Sequence, residues 1–438
     1  MELWQERLTA TANPRMNTYY EGRVEMMISS QRTVFSQLLL VSVCASLTTQ
    51  ASAADGIVAR GAAARHGLHR AWVTQIQLDR SRSRLTNVTQ HDATLFALTD
   101  TGLVHAIDAE TGRTLWTAQF GDPLFPSFGP AVNDEKVAVV NGSQLFLMSR
   151  KTGRQLWRHE IGGAPAAGPE LTDDRVYVPL VTGTIKSYLL DHHQRSPWIY
   201  FSDGRPLSRP LVTPDAICWT TDKGYLNIAR KEKPTTRFRL RTDDAIVSRA
   251  AYRTPNYYCA SLDGYVYAVD EESGELVWRF SAGAPVSQSP VVINDHVFVC
   301  PDHRGMVCLS TETGKQLWSA PTTARFVSAS SERVYAVDPQ DRLHILDQAT
   351  GAQVGILSEA QLPFQLQNSQ TDRIYFGTHT GLLQCLRETK LTEPVLHVER
   401  PQENEAEEST EDKNGVDDAN PLAAEPDSRS LSPGPWAG

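Results

Sequence analysis

The chain has 438 residues, 40% of them apolar, and a formal net charge of -9. A chain of this length can bury a large core. Residues 399–438 hold eleven acids against three bases and so carry -8 of the charge, which leaves the remainder nearly neutral. Nucleic-acid binding needs a basic face, so we expect no nucleic-acid partner.

Near the N-terminus, residues 34–47 form an apolar run of fourteen. This run is too short to span a bilayer and is typical of a signal-peptide core. Arg32 precedes it, and the small-x-small triplet 51–53 follows it. The sequence predicts that residues 1–53 are an N-terminal extension and signal peptide cleaved after Ala53, and that the protein is exported to the periplasm or outer envelope. A buried strand is the alternative interpretation.

Two features leave the attachment and the start of the chain open. Val43, not a small residue, stands before Cys44, which disfavours lipidation and leaves membrane association undecided. Because the stretch before Met26 is polar, Met26 or Met27 makes a better start than Met1.

After residue 53 the chain has five cysteines, and none has CxxC spacing. This pattern predicts neither a disulfide framework nor a zinc site. Cys300 and Cys308 either flank a hairpin and pair, or are buried thiols like the others. Asp191, His192 and His193 invite a metal interpretation, but neighbouring side chains on an extended segment point to opposite faces, which favours a solvated loop.

A period of about forty residues organises the chain from residue 72 to residue 386. Its aromatic positions are Trp72, Trp116, Trp157, Trp198, Phe238, Trp278 and Trp318, and the next position, near Gly355, has no aromatic. A second series consists of Gly102, Gly142, Gly183, Gly224, Gly264, Gly305 and Gly381, and only the unit around Asp341 lacks it. A third opens the units with Pro130, Pro169, Pro210, Ala250, Pro290 and Ala329. We interpret the aromatic residues as structural and assign none to ligand binding.

Each unit alternates short β-branched and aromatic runs with turns. In the second turn, Gly112, Gly274 and Gly314 permit a positive φ, while Asp108 and Asp270 can accept backbone N–H bonds. Four short strands per forty residues is the pattern of a propeller blade.

The units number eight, and the last has no aromatic outer strand. The segment around Trp72 is an outer strand without a blade, so pairing it with the last unit would close the ring. We therefore predict an all-β fold, an eight-bladed β-propeller closed by an N-terminal outer strand that completes the last blade. Its expected limits are 70–388, after a short linker at 54–69 and before an acidic disordered tail at 389–438. A two-domain β-sandwich is the competing fold.

The segments AIDAETGRTLW, AVDEESGELVW and CLSTETGKQLW resemble the AxDxxTGxxxW repeat of the pyrroloquinoline-quinone (PQQ)-type propellers. That family includes quinoprotein alcohol dehydrogenases and the outer-membrane assembly scaffold BamB. The resemblance covers about residues 70–388 and is weak in blades three and four. It implies that a quinone enzyme would carry adjacent cysteines, a calcium-liganding acid and an aspartate base, and often a CxxCH segment.

This sequence has no adjacent cysteines and no CxxCH. We therefore expect no catalytic residues, no metal and no cofactor, PQQ included. The resemblance favours a non-catalytic, BamB-like scaffold that binds periplasmic or envelope proteins, and we expect it to be monomeric. The alternatives are a propeller that binds a saccharide or small ligand in its channel and an unconventional PQQ-dependent oxidoreductase.

One basic segment is the candidate partner surface. It contains Arg230, Lys231, Lys233, Arg237, Arg239 and Arg241, with Glu232 as its one acid. By strand alternation, Phe238 and Leu240 face inward and the three later arginines face outward. Two interpretations stay open: charges that prevent edge-to-edge pairing, or an anion-facing patch for an acidic partner or for the protein's own tail.

The order of Arg32, apolar core and Ala-Ser-Ala predicts that protein recovered from the envelope begins at Ala54. Intact mass measurement checks this expectation. A mature chain that retains Met1, or one that carries diacylglycerol on Cys44, would contradict it.

Overall fold

The computed structural model describes residues 56–358 and 363–397. The signal segment, its cleavage site and residues 398–438 lie outside the described residues. Within the described part, no helix is long and apolar enough to cross a membrane.

The described strands form eight four-stranded antiparallel sheets, which are the eight blades of a propeller. Blades one to four consist of β2 (Leu85–His91), β3 (Thr94–Thr99), β4 (Leu103–Asp108), β5 (Thr114–Gln119); β6 (Ser127–Val132), β7 (Lys136–Asn141), β8 (Gln144–Ser149), β9 (Gln155–Glu160); β10 (Glu170–Leu171), β11 (Arg175–Leu180), β12 (Thr184–Leu189), β13 (Trp198–Phe201); and β14 (Leu211–Val212), β15 (Ala216–Thr220), β16 (Tyr225–Arg230), β17 (Thr236–Arg241).

The remaining blades follow the same order from the innermost strand outwards. Blades five to eight consist of β18 (Ala251–Arg253), β19 (Asn256–Ala260), β20 (Tyr265–Asp270), β21 (Leu276–Ser281); β22 (Val291–Ile293), β23 (His296–Val299), β24 (Met306–Ser310), β25 (Gln316–Ala320); β26 (Arg325–Ala329), β27 (Arg333–Val337), β28 (Leu343–Asp347), β29 (Gln353–Leu357); and β30 (Phe364–Gln365), β31 (Ile374–Gly377), β32 (Leu382–Glu388), β1 (Leu68–Gln75). The predicted fold class and blade count are confirmed.

Ring closure occurs in blade eight, as predicted. Strand β1 pairs antiparallel with β32, from Leu68 opposite Glu388 to Gln75 opposite Leu382. The first strand of the chain therefore supplies the outer strand of the last blade, and the ring leaves no open seam between its ends.

The periodic tryptophans join neighbouring blades. Five indoles donate their Nε1–H to a backbone carbonyl of the next blade at 2.7–2.9 Å: Trp72 to Ala109, Trp116 to Arg150, Trp157 to Leu190, Trp278 to Thr311 and Trp318 to Gln348. Each such bond satisfies the polar atom of a large apolar side chain between two blades, which makes burial of the indole favourable.

The glycine of the second turn lies directly against the aromatic ring of the preceding blade. A Cβ atom would overlap that ring in five pairs: Gly112 with Trp72, Gly153 with Trp116, Gly274 with Phe238, Gly314 with Trp278 and Gly351 with Trp318. In the same turns, Asp108 Oδ1 accepts the Thr111 backbone N–H at 2.8 Å and Asp270 Oδ1 accepts that of Ser273 at 2.8 Å. These hydrogen bonds hold the pKa of Asp270 below its usual value.

Two units depart from the pattern, and the structure shows what replaces the missing residue. Asp341 itself adopts a positive φ of 60° where the other units have glycine. At Gly355 the missing aromatic is replaced by the His66 ring, since a Cβ atom there would lie 2.7 Å from His66 Nδ1.

The ends of the described chain contain more structure than the sequence indicated. Residues 56–69, expected as a linker, include helix α1 (Arg60–Arg65), whose Ala62 and Ala63 are buried with the cores of blades seven and eight. Residues 389–397, expected as the start of a disordered tail, are fixed by Arg373, which donates to the carbonyls of Leu391 and Thr392. The buried alanines order the first segment, and the buried Arg373 guanidinium orders the second. Neither contact can be read from local composition, so the sequence did not predict this structure.

Deleting residues up to Gln75 should lower the melting temperature far more than deleting residues 400–438, since only the first change removes a strand partner of β32. Differential scanning calorimetry of both truncations checks this. Equal shifts would contradict closure by β1 as a source of stability.

Gly314→Ala should destabilise the protein more than Gly283→Ala. Both glycines have a positive φ, 66° and 72°, but nothing lies within 4 Å of a Cβ at Gly283. The Gly283 variant therefore measures the backbone cost alone, about 1–2 kcal/mol, and the Gly314 variant adds overlap with Trp278, about 1–3 kcal/mol more. Denaturant unfolding measures both, and equal losses would mean that the indole moves aside freely.

Candidate functional site

The predicted basic segment lies in blade four, on the turn after β16 and on the outermost strand β17. Phe238 and Leu240 are turned towards the core of that blade, as alternation predicts. Arg239 and Arg241 are exposed, whereas Arg237 is half-buried, so two of the three arginines face solvent as predicted.

The exposed arginines have weak local partners. Arg239 lies 3.4 Å from Asp203, and both side chains are about half exposed. The guanidinium of Arg241 lies over the Tyr225 ring, 5.7 Å from its centroid. Exposed pairs of this kind contribute little to stability, so both guanidiniums remain available to an outside anion.

A second candidate site is the central channel, a cavity of about 650 Å³. Its wall is made by the innermost strands and the loops that lead into them, chiefly residues 86–90, 127–129, 166–168, 207–209, 249 and 366–370. Hydroxyl and amide side chains dominate this wall, and the volume falls within the range of small-molecule sites.

Glu170 and two arginines form an ion-pair group across blades three, four and five. Glu170 Oε2 lies 2.7 Å from Arg209 Nε and 2.8 Å from Arg249 Nη2. Arg209 also donates to the Pro130 carbonyl in blade two at 3.0 Å. Two guanidiniums share one carboxylate, so the group carries one net positive charge.

Burial lowers the pKa of Arg249 to about 10, although Glu170 acts in the opposite direction. The side chain therefore stays charged at neutral pH. Within the described residues, its Nε is buried and has no hydrogen-bond partner, and the same holds for Oε1 of Gln90 on the channel wall. Both atoms are enclosed by protein, so neither is exposed to the channel.

Trp198 differs from the other periodic tryptophans. Its ring lies under the guanidinium of Arg175, 3.6 Å from the ring centroid. The bond to the next blade comes instead from the Tyr200 hydroxyl, which donates to the Arg230 carbonyl at 3.1 Å. Tyr200 lies two residues after Trp198, on the same face of β13. Its hydroxyl therefore makes the bond to the next blade that an indole N–H makes elsewhere in the ring.

The histidines that suggested a metal have other contacts. His193 stacks on Trp157 with ring centroids 4.4 Å apart. Among the described residues, one His-Asp-Asp group places its ligand atoms close together, His91, Asp92 and Asp134, but Arg150 lies 3.0 Å from Asp92 and 3.7 Å from Asp134. That guanidinium already offsets one of the two negative charges that would attract a cation.

Comparison with known proteins shows the family to which this propeller belongs. The family model described as "Outer membrane protein assembly factor BamB" matches residues 54–191 and 262–387, more than half of the chain. This chain belongs to that family. Its channel and basic strand are therefore features of a BamB-family propeller, and the interval 192–261, which holds the basic segment, lies outside the match.

Curated relatives bear the same description. The assembly factor BamB of Shewanella oneidensis is 20% identical over 56% of this chain and 70% of its own length. Those of Moranella endobia and Yersinia pestis are each 24% identical, over 60% and 57% of this chain. The chain spans 64% and 60% of the lengths of the latter two, less than two thirds of each.

Solved structures share the fold. BamB from Moraxella catarrhalis matches 73% of this chain and 97% of its own, with a TM-score of 0.60 and 16% identity. Quinohemoprotein alcohol dehydrogenase from Comamonas testosteroni matches 76% of this chain and 78% of its own, with a TM-score of 0.58 and 12% identity. Identities this low establish the propeller and leave the activity open.

The residues present do not fit the quinone site that the dehydrogenase likeness implies. The five described cysteines are unpaired and buried, and no two are adjacent in sequence. Burial raises the pKa of Cys300 and of Cys308 to about 12, which keeps these two thiols protonated and unreactive. Cys300 and Cys308 do not pair, which confirms the interpretation of both as buried thiols.

The channel group was missed because its members are far apart in sequence. Arg209 and Arg249 stand immediately before Pro210 and Ala250, two members of the third periodic series. Equivalent positions of successive blades meet in one layer around the channel, so a comparison of charges at that repeat position would have found them.

Proposed function

We propose that this chain is a non-catalytic, exported propeller scaffold that binds proteins of the envelope and takes part in outer membrane protein assembly. One observation carries the proposal, the family match over both halves of the propeller. The adjacent cysteines and the CxxCH segment that the resemblance implies for a quinone enzyme are absent from the sequence, so binding through the propeller surface is the function that the residues favour.

The partner surface in this proposal is the basic segment of blade four. It falls within the interval 192–261 that the family model leaves unmatched, so it belongs to the part of the propeller most particular to this chain. Its exposed guanidiniums suit the carboxylates of an acidic partner.

Protection of the blade edge explains the arginines less well. Arg237 directly precedes the periodic aromatic residue, and the same position in blades one, five and six holds Leu115, Val277 and Leu317. These aliphatic side chains are 44%, 47% and 50% exposed. Three outer strands thus do without a charge at this position, so a need to block edge pairing does not account for the charges of blade four.

Replacing Arg237, Arg239 and Arg241 by Glu should prevent the chain from supporting outer membrane protein assembly. The matched control is Arg279→Glu, an exposed arginine that follows Trp278 just as Arg239 follows Phe238. In cells that lack the native copy, the amount of folded outer membrane protein is compared for the native chain, the triple variant and the control. The native chain and the control should restore it and the triple variant should not.

Two results would contradict the proposal. If cells without this chain keep a normal amount of folded outer membrane protein, the assembly function is wrong. If the triple variant restores assembly as fully as the control, the basic segment is not the partner surface. Unchanged circular dichroism of the variants confirms that folding is intact.

A further inference from the structure

We infer that the central channel is a binding site for a small polyhydroxylated monocarboxylate, such as a sugar acid, held by Arg249 together with the polar channel wall. This site is separate from the outer strand of blade four and goes beyond the scaffold function.

The charge of the channel sets the charge of the ligand. Arg209 and Arg249 both lie within 2.8 Å of the single carboxylate of Glu170. One positive charge is left over in a wall whose other side chains are largely hydroxyls and amides. A buried or half-buried charge without a full partner is costly, and one carboxylate on the ligand would neutralise it.

Arg249 is the better of the two arginines to bind the ligand. Arg209 is committed on both sides, to Glu170 and to the Pro130 carbonyl. Arg249 pairs with Glu170 through Nη2, and 31% of its side chain remains exposed. A guanidinium has five N–H donors, so a second carboxylate can bind Arg249 without displacing Glu170.

The rest of the wall favours hydroxyl groups over apolar surface. Thr86, Thr89, Ser208, Gln367 and Ser369 line the cavity. Their hydroxyl and amide groups can bond the hydroxyls of a ligand, while the guanidinium binds its carboxylate, and a carboxylate on a hydroxylated ring supplies both kinds of group.

Space for the ligand comes from two glycines. Gly129 and Gly168 occupy, in blades two and three, the repeat position that Arg209 and Arg249 occupy in blades four and five. All four residues line the cavity, so the layer is empty on one side and cationic on the other. This asymmetry produces a one-sided pocket of about 650 Å³ in an otherwise repetitive ring.

Calorimetric titration of the mature chain, residues 54–438, with three probes tests the inference. D-glucuronate carries both the carboxylate and the hydroxyls, glucose carries the hydroxyls alone, and acetate carries the carboxylate alone. Glucuronate should bind most tightly, and its binding should weaken as NaCl is raised. Equal affinity for glucose and glucuronate, equal affinity for acetate and glucuronate, or no binding of glucuronate would each overturn the inference.

Two channel variants and one control locate the site. Arg249→Gln should weaken glucuronate binding by about tenfold or more, the loss of one charged hydrogen bond. Ser369→Trp should abolish binding by filling the cavity while leaving every ion pair intact, so it decides the matter if Arg249→Gln does not fold. Arg279→Gln, which removes an exposed guanidinium outside the channel, should bind as the native chain does. Binding that survives Ser369→Trp would overturn the channel as its location.

Discussion

The contact between an indole and a glycine of the next blade is the constraint on which the ring depends. In five pairs the aromatic ring of one blade lies where a Cβ atom on the glycine of the next blade would be, so a side chain at that glycine would displace the ring. The indole N–H then bonds a carbonyl of that same neighbouring blade, which fixes the distance between blades as well as their packing. This contact recurs at five of the eight junctions between blades, and at the junction that closes the ring it is made by Trp72 of the first strand with Gly112.

The closing region shows how the ring tolerates the loss of this contact. Residue 355 is a glycine and so lacks the aromatic ring of the other blades. His66, α1 and β1 of the N-terminal segment occupy that space instead. Arg333 donates to the His66 carbonyl at 2.9 Å, and Glu388 accepts hydrogen bonds from Ser330 and Tyr335 at 2.6 and 2.9 Å. Polar bonds between blades seven and eight thus replace what one indole supplies elsewhere, at the place where the two ends of the domain meet.

Periodic residues made the fold predictable from sequence, because each has one contact that recurs at constant spacing. Trp278 and Gly314 predict their blades directly, and Trp72 without a blade predicts the closure. The exceptions were not predictable, because in each of them a residue from a different position in the sequence makes the missing contact. Tyr200 takes over from Trp198 by shifting two residues along a strand, and His66 replaces an aromatic nearly three hundred residues away in sequence. The basic strand was found because it is local; the channel group, assembled from positions about forty residues apart, was not.

The position before each member of the third periodic series varies from blade to blade, unlike the recurring indole and glycine. It is glycine in blades two and three, arginine in four and five, and serine at Ser289 and Ser328 in six and seven. The contacts between blades at this position are polar and differ from blade to blade. Arg209 donates to the Pro130 carbonyl, and Ser328, which is fully buried, donates to the Thr371 carbonyl. The residues that vary between blades therefore lie in the inner layer and on the outer strands, whereas the contact between an aromatic ring and a glycine recurs at five of the eight junctions between blades.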